Sequence, residues 1–167
     1  SEQNNTPLQG HWNFCFFCFW LFFAIVRTLQ PDPTMSAAQQ KLSTFPAFFR
    51  VSGRIVVVVG EGEEAFAKAR LLFNTDARIV VLAEAPEADF ARFIADKGLE
   101  LVRAPFSEDA IADATLVFAA TGDAVADRAI STAARKLRIP VNAVDQPDHC
   151  DFFTPALVNR APVAVAI

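Results

Sequence analysis

The chain has 167 residues, which is enough for one domain and part of a second. Hydrophobic residues make up 53% of it and charged residues 20%, so a folded core is expected and extensive disorder is excluded. The net charge of −4 disfavours a nucleic-acid-binding protein, which needs a basic surface to replace phosphate counterions. Three cysteines and two histidines, scattered along the chain, predict neither a disulfide framework nor a metal site and favour a cytoplasmic protein.

An uninterrupted apolar run at residues 14–26 precedes the regular part of the sequence. It is shorter than the about 20 residues that a membrane-spanning helix needs. No Lys or Arg precedes it, as one would in a signal peptide. Because Met35 is the only methionine, we expect residues 1–34 to be a non-native or disordered apolar tail. A short membrane-associating segment is the alternative.

From Arg54 onward, predicted strands alternate with predicted helices. The strands are apolar runs rich in Val and Ile, as expected where both faces of a sheet are covered. They are residues 54–59, 77–83, 99–103, 115–121 and 141–144. The helices are residues 61–73, 88–97, 107–112 (short) and 123–137. This alternation predicts an α/β fold over residues 35–150, a Rossmann-like doubly wound parallel sheet of about five strands.

The junction of the first strand and the first helix carries a glycine-rich turn. Gly60, Gly62 and Ala65 form a G-x-G-x-x-A element, which is typical of dinucleotide-binding domains. Gly60 permits a tight turn, Gly62 lets a pyrophosphate approach the backbone, and the helix N-terminus offers N–H groups to the phosphates. The alternative is a glycine turn that binds nothing.

Acidic residues surround this predicted phosphate site. Glu61, Glu63 and Glu64 suit the positive end of the helix, but they would repel a pyrophosphate unless they point to solvent. Glu84 follows the second strand, where a carboxylate accepts hydrogen bonds from the adenine ribose and repels a 2′-phosphate. The sequence therefore favours NAD over NADP, unless Glu84 is an ordinary surface glutamate.

The fourth and fifth strands deliver polar residues to the same predicted sheet edge. Thr121 ends the fourth strand and is a candidate cofactor contact, and Asp123 is a candidate helix cap. The fifth strand delivers Asn142 and Asp145. A carboxylate at the cofactor edge can accept a proton, so Asp145 is the candidate catalytic base; its alternative is a plain turn residue before Pro147.

Together these motifs resemble the N-terminal module of siroheme synthase, the precorrin-2 dehydrogenase and sirohydrochlorin ferrochelatase family. That family's pattern N-x-V-D-x-P-x-x-C-x-F-x-x-P-A is met from Asn142 to Ala156, and the likeness runs over residues 42–167. The glycine turn departs from the usual G-G-G, because Glu61 replaces the middle glycine. By this resemblance, residues 151–167 are the truncated start of a second, dimerisation-type region.

The resemblance implies NAD-dependent oxidation of precorrin-2 to sirohydrochlorin, followed by insertion of ferrous iron to give siroheme. It gives Asp145 the acid–base role in both steps and aligns Glu63, Glu64, Glu84 and Ala85 with the NAD-contacting stretches. The implied partners are the tetrapyrrole, ferrous iron as a substrate, and a second copy of the full-length chain.

Two other functions stay open from the residues alone. One is an NAD-sensing regulatory module without catalysis, which would not need the segment after Asp145. The other is an inert scaffold whose glutamates prevent nucleotide binding.

Overall fold

Five strands form the central sheet. A computed structural model of the chain describes residues 43–154 and the strands at residues 157–160 and 163–166. The sheet strands are β1 (Ile55–Val59), β2 (Arg78–Leu82), β3 (Glu100–Val102), β4 (Leu116–Ala119) and β5 (Val141–Ala143). They lie in the order β3-β2-β1-β4-β5, and all neighbours are parallel. Ligands of such sheets bind where the strand order reverses, which is between β1 and β4.

Three helices cover the sheet: α1 (Glu63–Leu72), α2 (Ala88–Lys97) and α3 (Ala124–Lys136). The valines of β1 show how the two faces are filled. Val56 and Val58 share one buried cluster with α1 and α2, whereas Val57 and Val59 share another with α3. The predicted doubly wound parallel fold is confirmed, and the apolar strands are explained by burial on both faces.

The predicted elements differ from the observed ones mainly at their ends. The predicted short helix at residues 107–112 is a single 3₁₀ turn, Asp109–Ile111. Strand β3 is three residues long because it lies at the sheet edge and pairs only with β2. Near the end of the chain, β6 (Leu157–Arg160) and β7 (Val163–Ala166) form an antiparallel pair.

By compactness the chain divides into residues 1–47 and residues 48–167, and all of the elements above belong to the second unit. The predicted tail at residues 1–34 lies outside the described residues, so the predicted boundary at Met35 stays a prediction. Within the part that the structure describes, no helix is long and apolar enough to cross a membrane.

Gly60 follows β1 directly and lies against the backbone at the end of β4. Its φ of 144° is a conformation that side chains rarely adopt, and a Cβ atom there would overlap the carbonyl oxygen of Ala120. The Gly60 N–H donates to the carbonyl of Leu82 at 3.1 Å, and the Ala120 N–H donates to the carbonyl of Val59 at 2.8 Å. Because Gly60 and Ala120 are each held by a backbone hydrogen bond, neither can easily move away from a methyl group added at Gly60.

A pair of alanine substitutions separates this overlap from ordinary backbone strain. Gly98 ends α2 at a φ of 64°, and a Cβ atom there would meet nothing within 4 Å. We expect Gly98→Ala to lower the free energy of unfolding by about 1 kcal/mol, the cost of a left-handed residue. Gly60→Ala should lower the free energy of unfolding by about 2 kcal/mol more than Gly98→Ala, because the overlap of its Cβ atom with the Ala120 carbonyl is added to the backbone strain. Urea denaturation of the two variants measures the difference, and equal losses would show that the approach to Ala120 relaxes freely.

Candidate functional site

The turns after β1, β2, β4 and β5 lie along one edge of the sheet, and the predicted site residues belong to them. Backbone bonds continue the parallel ladder past the strand ends: the Val144 N–H, for example, donates to the carbonyl of Ala119 at 2.9 Å. The predicted residues are distributed over all four turns: Gly60, Gly62, Glu63 and Glu64 after β1, Glu84 and Ala85 after β2, Thr121 after β4, and Asp145 after β5.

The turn after β1 leads into the N-terminus of α1. Gly62 is the N-cap, and no side chain of a described residue hydrogen-bonds to the first helical N–H groups. A Cβ atom at Gly62 would come within 3.3 Å of only one side chain, the carboxylate of Glu87. The turn therefore offers backbone donors, the positive end of a helix and room for a backbone approach. These features fit the phosphates of a dinucleotide.

Glu61 does not point its charge at this helix N-terminus. Its Oε1 atom accepts hydrogen bonds from the backbone N–H groups of Glu84, at 2.7 Å, and Ala85, at 2.8 Å. Its carbonyl oxygen accepts from the N–H of Glu87 at 2.9 Å. The repulsion between Glu61 and a pyrophosphate, which the sequence suggested, is therefore reduced, because the Glu61 carboxylate is turned away from the helix N-terminus. It joins the turn after β1 to the turn after β2. Glu63, in contrast, is exposed to solvent.

A buried carboxylate organises the turn after β4. Asp127 is 2% exposed, and its Oδ1 atom accepts from the N–H of Thr121 at 3.0 Å and from its hydroxyl at 2.7 Å. The hydroxyl proton of Thr121 is therefore committed to Asp127 and is not offered to a ligand. Asp123 is the N-cap of α3, as predicted, and its Oδ1 atom accepts from the N–H of Val125 at 2.8 Å.

Asp127 was not among the residues predicted from the sequence. Its signal was present, because a carboxylate four residues after the helix cap Asp123 falls on the buried face of an Ala-rich helix. Buried carboxylates need partners, so this position should have suggested a bond to the preceding turn.

Asp145 has a left-handed backbone conformation, with a φ of 56°, and is exposed to solvent. Asp and Asn tolerate this conformation better than other non-glycine residues. The backbone is bonded on both sides of it: Val144 N–H to Ala119, and Gln146 N–H to the carbonyl of Ala143 at 3.3 Å. The predicted base therefore stands on a fixed backbone with an accessible carboxylate.

The segment after Asp145 is held to the sheet by the other residues of its motif. Asn142 Nδ2 donates to the carbonyl of Phe152 at 2.9 Å, and Cys150 Sγ donates to the carbonyl of Ala143 at 3.1 Å. The Phe152 ring packs edge-on against Phe118, with ring centroids 5.4 Å apart. Among the residues that define the motif, Asp145 is the exposed carboxylate, and several of the others fix its loop. Among the described residues, no three His, Cys, Asp or Glu side chains are grouped to hold a metal ion.

Comparison with known proteins agrees with this description. A family model described as putative NAD(P)-binding matches residues 47–156. The siroheme synthase of Nitrosomonas europaea is 40% identical over 123 residues, covering 73% of this chain and 26% of that protein. The siroheme synthase of Psychrobacter cryohalolentis is 36% identical over 126 residues, covering 75% of this chain and 24% of that protein. The resemblance stated from the sequence is confirmed, and the chain spans about a quarter of the length of these relatives.

One solved structure shares the fold. SirC, a precorrin-2 dehydrogenase, matches with a TM-score of 0.58 and 22% identity, over 74% of this chain and 61% of that chain. At this identity the likeness supports the Rossmann-like architecture.

Asp127→Ala should destabilise the protein more than loss of the helix cap does. It leaves the N–H and hydroxyl of Thr121 without their acceptor, and we expect a loss of about 2–4 kcal/mol in the free energy of unfolding. Asp127→Asn keeps an acceptor oxygen and should cost less. Asp123→Ala removes the cap of the same helix and should cost about 1 kcal/mol. Urea denaturation ranks the three variants, and an Asp127→Ala loss no larger than that of Asp123→Ala would contradict this role.

Proposed function

The chain belongs to the family of putative NAD(P)-binding domains and matches a segment of siroheme synthases, and on that premise we propose that it oxidises precorrin-2 to sirohydrochlorin with NAD. The observation that carries the proposal is the position of Asp145. An exposed carboxylate, on a backbone bonded at both sides, shares the sheet edge with a dinucleotide-type turn. A binding module without catalysis would not need this carboxylate, so its position favours the dehydrogenase.

The residues of the edge fit NAD. Gly60 permits the tight turn against the end of β4, and Gly62 lets the pyrophosphate approach the backbone. The α1 N-terminus, with Glu63 and Glu64 in its first turn, supplies donors. The turn at Glu84 and Ala85 receives the adenosine end, because it follows the neighbouring strand β2. Thr121 lies in the turn after β4, on the opposite side of the glycine turn, and would border the cofactor there with its N–H and hydroxyl bonded to Asp127. When bound, NAD supplies a hydride acceptor.

Asp145 supplies the proton acceptor. Oxidation of precorrin-2 removes a hydride and a proton from the tetrapyrrole, and the carboxylate of Asp145 takes the proton. Insertion of ferrous iron requires the loss of two pyrrole N–H protons, so the same carboxylate can serve in that step. The proposal also includes iron insertion to give siroheme and action in the cytoplasm. It further includes dimerisation of the full-length protein through the region that starts at residue 151.

Gly62→Val tests the cofactor site. Among the described residues, a Cβ atom at this position would meet only the flexible end of the Glu87 side chain, so the fold should be retained. It would fill the space through which the phosphates approach, and NAD binding should be lost, with Gly62→Ala intermediate. Calorimetric titration with NAD, accompanied by thermal unfolding, measures both properties. Undiminished binding by a folded Gly62→Val protein would place the cofactor elsewhere.

Asp145→Asn tests the catalytic base. Asn accepts the left-handed backbone as Asp does, so the free energy of unfolding and the NAD affinity should be unchanged. Oxidation of precorrin-2 should fall by about 10²–10⁴-fold, the usual contribution of a positioned general base. Asp148→Asn, an exposed position in the same loop, should retain the wild-type rate.

The oxidation is followed by the absorbance of sirohydrochlorin, and chelation by that of its iron complex. The assays use this chain and a longer version that includes any sequence encoded beyond Ile167. A wild-type oxidation rate in Asp145→Asn would show that the base lies elsewhere. Loss of oxidation with intact chelation would refute the shared base and leave the dehydrogenase proposal standing. NAD binding without oxidation in either version would favour a sensor.

A further inference from the structure

The carboxylate of Glu61 occupies a pair of backbone donors at the end of β2. Its Oε1 atom accepts from the N–H groups of Glu84 and Ala85 at 2.7 Å and 2.8 Å. Two successive N–H groups that converge on one oxygen form an anion-binding arrangement of the kind that phosphates use. In this chain the anion is a side chain of the protein itself, supplied from the glycine turn 23 residues earlier.

This pair of donors lies at the adenosine end of the proposed cofactor site. Val59 pairs with Leu82 in the parallel ladder, so the turns after β1 and β2 are neighbours. In dinucleotide-binding domains of this topology, the turn after β2 meets the adenine ribose. An acidic residue there accepts from the 2′-hydroxyl of NAD, and a basic residue there accommodates the 2′-phosphate of NADP.

We infer that Glu61 is the residue that selects NAD over NADP in this chain, an inference that rests on the proposed function. Both hydrogen bonds go to Oε1, and no hydrogen bond joins Oε2 to a described residue, so Oε2 can accept from the ribose 2′-hydroxyl. A 2′-phosphate would meet the carboxylate instead, and it would find the Glu84 and Ala85 N–H groups already bonded. The negative charge of Glu61 and its occupation of the two N–H groups therefore both disfavour the binding of NADP.

The rest of this turn would suit a phosphate. Arg103 follows β3, and its Nη1 atom donates to the carbonyl oxygen of Glu84 at 3.1 Å. The C=O and N–H of one trans peptide point in opposite directions, so this guanidinium lies across the Glu84–Ala85 peptide from the Ala85 N–H. Arg binds phosphate with fixed geometry, and with Glu61 removed the turn would present two backbone donors and one exposed Arg side chain that can swing toward them. The remaining negative charges nearby are the exposed side chains of Glu84 and Glu87.

Glu84 is the residue that sequence position alone would select for this role. In the structure it contributes its backbone N–H to Glu61 and its carbonyl oxygen to Arg103, and its side chain is exposed. Removing the charge of Glu84 therefore leaves the donor pair blocked, whereas removing Glu61 opens it. Glu84→Gln therefore tests the rival position in the same turn, and it should change the NAD-to-NADP affinity ratio less than Glu61→Ala does.

The experiment measures dissociation constants for NAD and NADP, and for the fragments 5′-ADP and 2′,5′-ADP, by calorimetry. Wild type should bind NADP about 100-fold more weakly than NAD. Glu61→Ala should narrow the ratio by about 10- to 100-fold, through tighter binding of NADP and 2′,5′-ADP. Glu61→Gln removes the charge, but its side-chain oxygen still accepts from the two N–H groups. It should therefore increase the affinity for NADP by less than Glu61→Ala does. Adding Arg103→Ala to Glu61→Ala should reduce the gain in NADP affinity, because the turn then keeps its two backbone donors and loses the cation.

The outcomes separate this inference from the proposed function. If wild type binds neither dinucleotide, the proposed function fails. If it binds NAD and Glu61→Ala leaves the ratio unchanged, Glu61 is not the selecting residue and the proposed function stands. A change of ratio in Glu84→Gln equal to that in Glu61→Ala would also refute the inference. Circular dichroism of each variant confirms that a loss of NAD binding does not reflect unfolding.

Discussion

The close approach of β1 and β4 at the point where strand order reverses is the constraint on which the site depends. Gly60 lies against the carbonyl of Ala120, and there is no room for a side chain between them. Its N–H is bonded to β2 on the other side, so the turn is fixed from both neighbours. Helix α1 begins three residues later, at Glu63, and its N-terminus therefore starts beside the switch point. The glycine that looks like a ligand contact is thus also a packing requirement.

Carboxylates bonded to backbone N–H groups hold the edge together. Glu61 bonds the turn after β2, Asp127 bonds Thr121 after β4, and Asp123 caps α3. Hydrogen bonds to charged groups contribute about 1.5–3 kcal/mol each, more than neutral ones. This use of acidic residues reconciles the net charge of −4 with an anionic cofactor. Several carboxylates near the site are already neutralised in part by the protein's own donors.

The sequence predicted the architecture because each of its signals is local. Continuous Val-rich strands, the glycine turn and the cap Asp123 all act within a few residues, and the structure has each of them. The direction of the Glu61 side chain was not predictable in the same way. It depends on a bond across 23 residues, made only after β1 and β2 have paired in register. The left-handed φ of Asp145 likewise depends on bonds to the ends of β4 and β5.

The conformation of Asp145 links the fold to the proposed chemistry. A non-glycine residue at positive φ carries a cost, and such residues persist where the surroundings fix them, frequently at functional sites. Here the surroundings are identifiable: Asn142 and Cys150 fasten the loop, and Phe152 anchors it on Phe118. Asn142 and Cys150 bond backbone oxygens, Phe152 packs through its ring, and none of the three hydrogen-bonds to the carboxylate of Asp145. These residues therefore fix the position of the loop and leave the exposed carboxylate of Asp145 free to exchange a proton with a substrate.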